Sequence, residues 1–280
     1  MLGAIIGDIV GSRFEFRNHR SKDFELFTAA CSVTDDSIMS LAVAKAIMEA
    51  VATEKAERFG RNSEEFYAIL SDLTVKYMRE VGRKYPHCGF GEMFRRWVRD
   101  DRLGPYNSFG NGAAMRVSPV GFVARDEEEA ERLADAVTGV THNHPEGLKG
   151  ARATAVAIVM ARRGASKNEI RARIEAKYYP LNFSVDEIRP TYRFNETCQG
   201  TVPQAIVCFL ESSSFEDAIR TAMSLGGDSD TIGAITGSIA EAYYGVPPEI
   251  GDRALGYLDK ELRAIYDEWK KFIGVQKEVY

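Results

Sequence analysis

The chain has 280 residues, 45% hydrophobic and 28% charged, the ordinary profile of a folded globular protein with ample core-forming material. A net charge of −5, with basic residues interleaved among acids as in Arg95 to Arg102, gives no field for nucleic acid or an anionic membrane. Four cysteines (Cys31, Cys88, Cys198, Cys208) without CxxC spacing read as reduced thiols of a cytoplasmic protein, and no apolar run approaches the ~20 residues a bilayer span needs.

The first ten residues are apolar, but Asp8 interrupts them and no basic stretch precedes them, which argues against a signal peptide. Gly3, Gly7 and Gly11 recur every fourth residue, so a helix here carries a bare stripe against which another backbone can lie. That helix is expected to be buried and to end near Ser12 to Glu15. Arg17 to Cys31 is polar and irregular and reads as a loop. The spacing of Ile38, Leu41, Ala42, Lys45 and Met48 predicts a helix starting at Asp36 or Ser37 and running to about Ala52. Ser63 begins another, through Met78 to Val81. A glycine-punctuated section, Gly82 to Gly112, holds a short helix at Glu92–Arg99 and the loop Gly104 to Gly112. Asp126 opens an acid-led helix to about Val140, and His144-Pro145-Glu146 opens the next, to Arg163, with Pro at its first turn. Ser166–Lys177 is a short amphipathic helix, Tyr179 to Cys198 is mostly loop, and Pro203–Leu210 with Ser214–Leu225 makes a helix pair. A small-residue helix over Ala234 to Tyr244 follows, and a last helix spans about Arg253 to Phe272. No alternating β-branched runs or hairpin turns occur. The expectation is an all-α, single compact multi-helix domain over residues 1–280, with no internal repeat.

Two acidic clusters carry the chemistry. Val33-Thr34-Asp35-Asp36-Ser37 and Gly227-Asp228-Ser229-Asp230-Thr231 share one construction: hydroxyls and paired carboxylates at the start of a helix. One Asp or Ser suffices to cap a helix, and for a single cluster that reading would win. The second acid has no capping duty, and carboxylates this close repel unless a proton or cation intervenes. Oxygen-only donors suit hard divalent cations, Mg²⁺ or Mn²⁺, rather than zinc. An EF-hand is excluded, because Ile232 and Ile239 fall where that loop needs ligands. Helix N-termini repel cations, so surplus negative charge is required there. Asp35, Asp36, Asp228 and Asp230 supply it for two ions, and Gly233 and Gly237 allow tight helix packing around them.

Other residues stand out less. Asp8, in an apolar helix, reads as a hydrogen-bonded buried acid. Glu15, flanked by Phe14 and Phe16, has an apolar shell that would raise its pKa for acid–base work. The stretch Ser108 to Arg116 reads as a phosphate or ribose cradle, its glycines admitting close approach and the following helix start offering amides; it lacks the P-loop lysine. From composition alone an ordinary tight turn would be the reading. His142 and His144 form an H-x-H pair without a third ligand nearby, so a substrate-contacting, capping or structural role fits better than zinc.

Taken in order, Gly3-x-x-x-Gly7-Asp8-x-x-Gly11 with Glu15, Thr34-Asp35-Asp36-Ser37, Gly110 to Arg116, Thr141-His142 and Gly226 to Thr231 resemble the ADP-ribosylglycohydrolase family, over nearly the whole chain. The resemblance implies an all-α fold with a central binuclear Mg²⁺ or Mn²⁺ site, ligated by Thr34, Asp35 and Asp36 on one side and Asp228, Asp230 and Thr231 on the other. It implies catalytic roles for Glu15, Asp35 and Asp36, and substrate binding by Ser108, Phe109, Gly110, Asn111, Gly112, Met115 and His142. The implied reaction is hydrolysis of the bond between ADP-ribose and an acceptor, on an ADP-ribosylated protein or a small ADP-ribose conjugate. Arginine-specific bacterial members carry an Asp near the place of Ser108; a Ser is more similar to members acting on O-linked ADP-ribose, and the acceptor stays open among arginine, serine and an O-acyl ester. The alternatives are a di-metal nucleotide phosphohydrolase and a non-catalytic, ADP-ribose-binding member.

Overall fold

A computed structural model describes residues 1–53 and 63–279. It is all-α: among the described residues fifteen helices and one isolated bridge, Gly110 with Thr197, make up the regular structure. None of these helices is long and apolar enough to cross a membrane.

The helices are α1 (Leu2–Gly11), α2 (Asp35–Val51), α3 (Glu64–Gly82), α4 (Glu92–Arg99), α5 (Gly112–Met115), α6 (Ser118–Val123), α7 (Glu127–Thr138) and α8 (Pro145–Arg162). They continue as α9 (Lys167–Lys177), α10 (Val185–Ile188), α11 (Cys198–Glu211), α12 (Phe215–Leu225), α13 (Ser229–Tyr244), α14 (Pro248–Leu255) and α15 (Lys260–Val279). Most starts follow the capping residues. Ser63, Asp126, Ser166 and Ser214 each accept a backbone N–H from the first turn of α3, α7, α9 and α12. Ser166 with Glu169 closes a full capping box.

Several elements differ from the sequence expectation, α13 among them, which starts at Ser229 and not at Ala234. Helix α11 begins at Cys198 rather than Pro203, because the Thr197 hydroxyl accepts from Gly200 N at 3.1 Å and caps a start five residues earlier. The tail is two helices, because Asp259 Oδ1 accepts from Glu261 N and Leu262 N at 2.9 Å and starts α15 afresh. Helix α6, with Pro119 in its first turn, and the one-turn α10 were not expected at all.

Helix α13 is the axis of the molecule. It is buried from Ser229 to Ala240 and packs against α1, α8, α11 and α12. Its contact with α1 is antiparallel and made by backbone. A Cβ on Gly3 would overlap the carbonyl of Gly237, and one on Gly7 the carbonyl of Gly233. From the other side, a Cβ on Gly233 would sit 2.5 Å from Gly7 O. At the far end Gly11 lies against Ser229 and Asp230, where a Cβ would come 2.6 Å from Asp230 N. At the near end Glu241 accepts from Gly3 N at 2.7 Å. The two glycine stripes expected separately are thus one interface, and it fixes α1 and α13 in register as well as in distance. Helix α2 follows beside α1, with α3 and α15 outside it.

Gly7→Ala or Gly233→Ala is expected to lower stability by about 3 kcal/mol, since overpacking against backbone outweighs the ~1 kcal/mol gained in helix propensity. Gly104→Ala, whose Cβ meets open space, should change stability by less than about 0.5 kcal/mol. Urea denaturation of the three variants checks this; equal stabilities would show that the stripe is not in contact.

Candidate active site

The α1–α13 register brings three chain segments to one point. Helix α12 ends at Leu225, and Gly226 and Gly227 turn the chain with φ of 72° and 77°, a left-handed conformation that favours glycine. Gly227 N donates to Asn18 Oδ1 at 2.7 Å and the Arg20 guanidinium donates to Leu225 O at 3.0 Å, so the loop after α1 holds this turn. Asp228 then occupies the N-cap position of α13 without making a side-chain cap bond. Its Oδ2 instead accepts from Asn111 Nδ2 at 2.7 Å. The start of α2 is built in a parallel way. Thr34 holds the N-cap position but does not cap, and Asp8 of α1 does so in its place. Asp8 Oδ2 accepts from Thr34 N and Ser37 N at 3.1 Å, and both hydroxyls, of Thr34 and Ser37, donate to the same carboxylate. A cap supplied from another helix leaves Asp35 and Asp36 free for something else. Asp35 N donates to Cys88 O at 3.0 Å, and Gly89 lies so near that its Cβ would meet Asp35 Oδ1 at 2.5 Å.

The acids converge in two groups. Oxygens of Asp8, Asp36 and Asp230 lie within 4.8 Å of one another, and so do oxygens of Glu15, Asp228 and Asp230. Asp230 belongs to both. Thr231 Oγ1 donates to Asp36 Oδ2 at 3.4 Å, tying the two helix starts together, while Asp36 Oδ1 is buried without a partner. Among the described residues no lysine or arginine forms an ion pair with any of these acids. Burial, reinforced by their mutual repulsion, pushes Asp35, Asp36 and Asp230 well above the usual carboxylate range. Burial raises Asp8 and Asp228 to about 6, against hydrogen bonds that pull them down. Half-buried Glu15 is raised to about 8, first by burial and then by Asp230 and Asp8. Oxygen-only donors, a shared central carboxylate and an orphaned buried oxygen fit a pair of hard divalent cations.

These acids form one wall of a cleft of about 600 Å³. Glu15, Asp35, Asp36, Asp228, Asp230 and Thr231 line it, as do Ser108, Phe109, Gly110, Asn111, Gly112, Met115 and His142, with Asn111 in direct contact with Asp228. Thr34 does not line it; its hydroxyl is turned to Asp8. Phe16 and Phe194 stack with ring centroids 6.0 Å apart at the mouth, and Phe16 is 81% exposed.

The glycine loop differs from the expected amide cradle. Gly110 N donates to Ser108 Oγ at 3.1 Å, Asn111 N to Glu196 O at 2.7 Å and Ala113 N to Gly110 O at 3.1 Å. These amides are committed within the protein, that of Asn111 to the segment before α11 and the other two inside the loop itself, and Cys198 N donates to Phe109 O at 2.9 Å. The H-x-H pair divides. His144 is the N-cap of α8, its Nδ1 accepting from Glu146 N at 3.1 Å, and only His142 lines the cleft. The sequence reading of the site gave no role to several residues, among them Asp8 as a member of the acid cluster, and Arg116, which lines the cleft buried beside His142. An acid inside an apolar helix was the available signal for Asp8; a lone arginine in a motif gave none.

Each of these carboxyls holds its proton more tightly folded than unfolded, so the folded state binds more protons and stability falls as pH rises through the window. EDTA-treated protein should lose thermal stability from pH 4.5 to about 8, the range bounded by the ordinary and raised values of Glu15. In the double variant Asp228→Asn, Asp230→Asn the slope should flatten. Melting curves across pH measure it, and stability rising over this range would contradict the assignment.

A family model for ADP-ribosylglycohydrolase matches residues 1–274. ADP-ribosylhydrolase ARH3 of Bos taurus is 26% identical, over 94% of this chain and 90% of that protein. ADP-ribosylarginine hydrolase Tri1 of Pseudomonas putida is 27% identical, over 89% of this chain and 71% of that one. A solved structure titled ADP-ribosylglycohydrolase-related protein complex superposes with a TM-score of 0.60 at 23% identity, covering 94% of each chain, and so shares the fold. With a family model spanning nearly its full length and the same all-helical architecture, the chain belongs to the ADP-ribosylglycohydrolase family.

Proposed function

We propose that the protein hydrolyses the glycosidic bond between the ribose of an ADP-ribosyl group and its acceptor. The observation that supports this most is the two carboxylate groups sharing Asp230, beside a cleft of about 600 Å³ that the Ser108–Gly112 loop also lines. Relatives named ADP-ribosylhydrolase and ADP-ribosylarginine hydrolase match most of the chain.

Thr34, Asp35, Asp36, Asp228, Asp230 and Thr231 are the residues the sequence offers as ligands, and Asp8 and Glu15 join them by position. Two Mg²⁺ or Mn²⁺ ions, when bound, would polarise substrate oxygens, and the surplus carboxylates would offset the repulsion between those ions and the helix N-termini. The protein's own groups do the rest. Phe109, 42% exposed in the cleft lining, would offer a flat apolar face to the adenine, and His142 and Asn111, which also line the cleft, would meet the diphosphate and ribose. As the bond to the anomeric carbon lengthens, positive charge develops on the ribose, and the buried carboxylates stabilise it. Glu15, its carboxylate within 4.8 Å of those of Asp228 and Asp230, is placed to pass a proton to the departing acceptor and to take one from the attacking water. The stacked Phe16 and Phe194 limit entry of other water beside Glu15.

For the acceptor, Ser108 favours an oxygen linkage. Its hydroxyl is neutral and already accepts from Gly110 N, so it cannot make the bidentate ion pair a guanidinium acceptor would want.

With Mg²⁺ or Mn²⁺ the protein should release ADP-ribose with its diphosphate intact; release of AMP or phosphate would favour the phosphohydrolase alternative. EDTA should abolish turnover, and Asp228→Asn with Asp230→Asn should abolish it while the helical circular dichroism persists. Full activity in EDTA would overturn the metal requirement. On a panel of conjugates, ADP-ribosyl-serine and O-acetyl-ADP-ribose should be cleaved at least about tenfold faster than ADP-ribosyl-arginine, and the reverse order would overturn the role given to Ser108.

A further inference from the structure

His142 stands over the glycine loop of the cleft. A Cβ on Gly112 would lie 3.3 Å from its Nε2, and one on Gly110 would lie 3.5 Å away. Whether that nitrogen donates or accepts depends on which tautomer the ring holds. The answer follows from the other nitrogen. Nδ1 lies 2.8 Å from Thr141 Oγ1 and 3.4 Å from Arg116 Nη2, and Arg116 Nη2 donates to Thr141 Oγ1 at 2.6 Å. Arginine has donors and no acceptor, so the direction of this bond is fixed. The Thr141 hydroxyl therefore accepts from Arg116 and has one proton left. That proton can go to His142 Nδ1 at 2.8 Å, to Thr138 O at 3.4 Å or to the Tyr106 hydroxyl, and Arg116 decides: its Nη2, 3.4 Å from Nδ1, can only donate, so a proton on Nδ1 would face the cation. Nδ1 is then an acceptor, and the single proton of the neutral ring sits on Nε2, facing the cleft.

Arg116 is an uncommon residue to find in this place. It is 1% exposed, and among the described residues it has no carboxylate at ion-pair distance; its Nε has no hydrogen-bond partner. A buried cation without a counter-ion costs several kcal/mol and calls for a compensating duty. Its charge also opposes a second positive charge on His142, whose pKa burial has already pushed well below the usual value. The amides of Gly110, Asn111 and Ala113 are spent inside the protein, so the loop itself leaves those donors unavailable to an anion.

We propose that Arg116 is a positioning residue which, acting through Thr141, holds His142 as the neutral Nε2–H tautomer, so that His142 donates to the anionic part of an ADP-ribosyl group lying along the Gly110–Gly112 wall. The ligand rests on the function proposed above; the tautomer does not. The specific consequence is that Arg116, buried where it lines the cleft, sets affinity through the tautomer of His142.

Nitrogen-15 NMR tests it directly, because the chain has four histidines and the signals of His142 are those lost in His142→Gln. In the unaltered protein Nδ1 should resonate in the pyridine-like range and Nε2 in the pyrrole-like range. Arg116→Gln, whose amide can donate or accept, should populate both tautomers, and Arg116→Lys, which again can only donate, should restore the first. The dissociation constant of ADP-ribose, measured by calorimetry, should rise about tenfold in Arg116→Gln, the value of one lost hydrogen bond, and recover most of the way in Arg116→Lys. A pyrrole-like Nδ1 in the unaltered protein would overturn the proposal without any variant, so a variant that fails to fold does not shield it. Weaker ADP-ribose binding with an unchanged tautomer would also overturn it, leaving Arg116 a merely structural residue. If ADP-ribose fails to bind the unaltered protein while the tautomer responds as expected, the ligand reading falls and the relay stands.

Discussion

Where Gly3, Gly7 and Gly11 of α1 meet Gly237, Gly233 and Ser229 of α13, two helices touch through their backbones, and the rest of the site is set by that contact. An interface of larger side chains would leave slack in distance and register. This one leaves little, since a single added methyl group would meet a carbonyl. Because the helices run antiparallel, the end of α1 that carries Asp8 and leads to Glu15 lies beside the start of α13, with Asp228 and Asp230. Helix α2 is then located by Asp8, which caps it from outside. Six acids far apart in sequence are brought to one place by a glycine stripe and a borrowed cap.

That arrangement is expensive in isolation. Buried carboxylates without basic partners each cost several kcal/mol, and their repulsion raises every pKa in the cluster. The fold tolerates this in two ways. Hydrogen bonds from Thr34, Ser37, Asn111 and Thr231 satisfy part of the negative charge. The remainder, including the unpartnered Asp36 Oδ1, is what a divalent cation would satisfy. Stability lost in a site of this kind is usual where it serves binding or catalysis. The cleft lining shows the same economy from the positive side, with the buried Arg116 acting on His142 and not on solvent.

Much of this was legible in the sequence, and the parts that were not share a cause. The period-four glycines, the two hydroxyl-plus-acid clusters and the capping serines are local patterns, and each marks its own place on a helix. What they meet is non-local. That Gly3 would face Gly237 was not written in either stripe, though the match of their spacing was a hint. Asp8 was recognisable as a buried acid, but its partners lie some 26 to 29 positions away, so its capping duty was invisible. The Gly110–Gly112 loop was read as an amide cradle because glycine admits close approach. Its pairing with Glu196 and Thr197, which consumes the Asn111 amide, depends on tertiary contact, while Ser108 Oγ and Gly110 O take the amides of Gly110 and Ala113 inside the loop. Thr197 outranked Pro203 as the start of α11 for a local reason that was available and was passed over: a capping hydroxyl is a stronger start signal than a proline.

The account's central claim is that one carboxylate, Asp230, serves two cations held between α1, α2 and α13. Diffraction from crystals grown with Mn²⁺, with data collected at the manganese absorption edge, addresses it most directly. The account predicts two anomalous peaks about 3.5–4 Å apart within the cluster, with Asp230 in contact with both. No peak there, or peaks only among surface carboxylates, would contradict it.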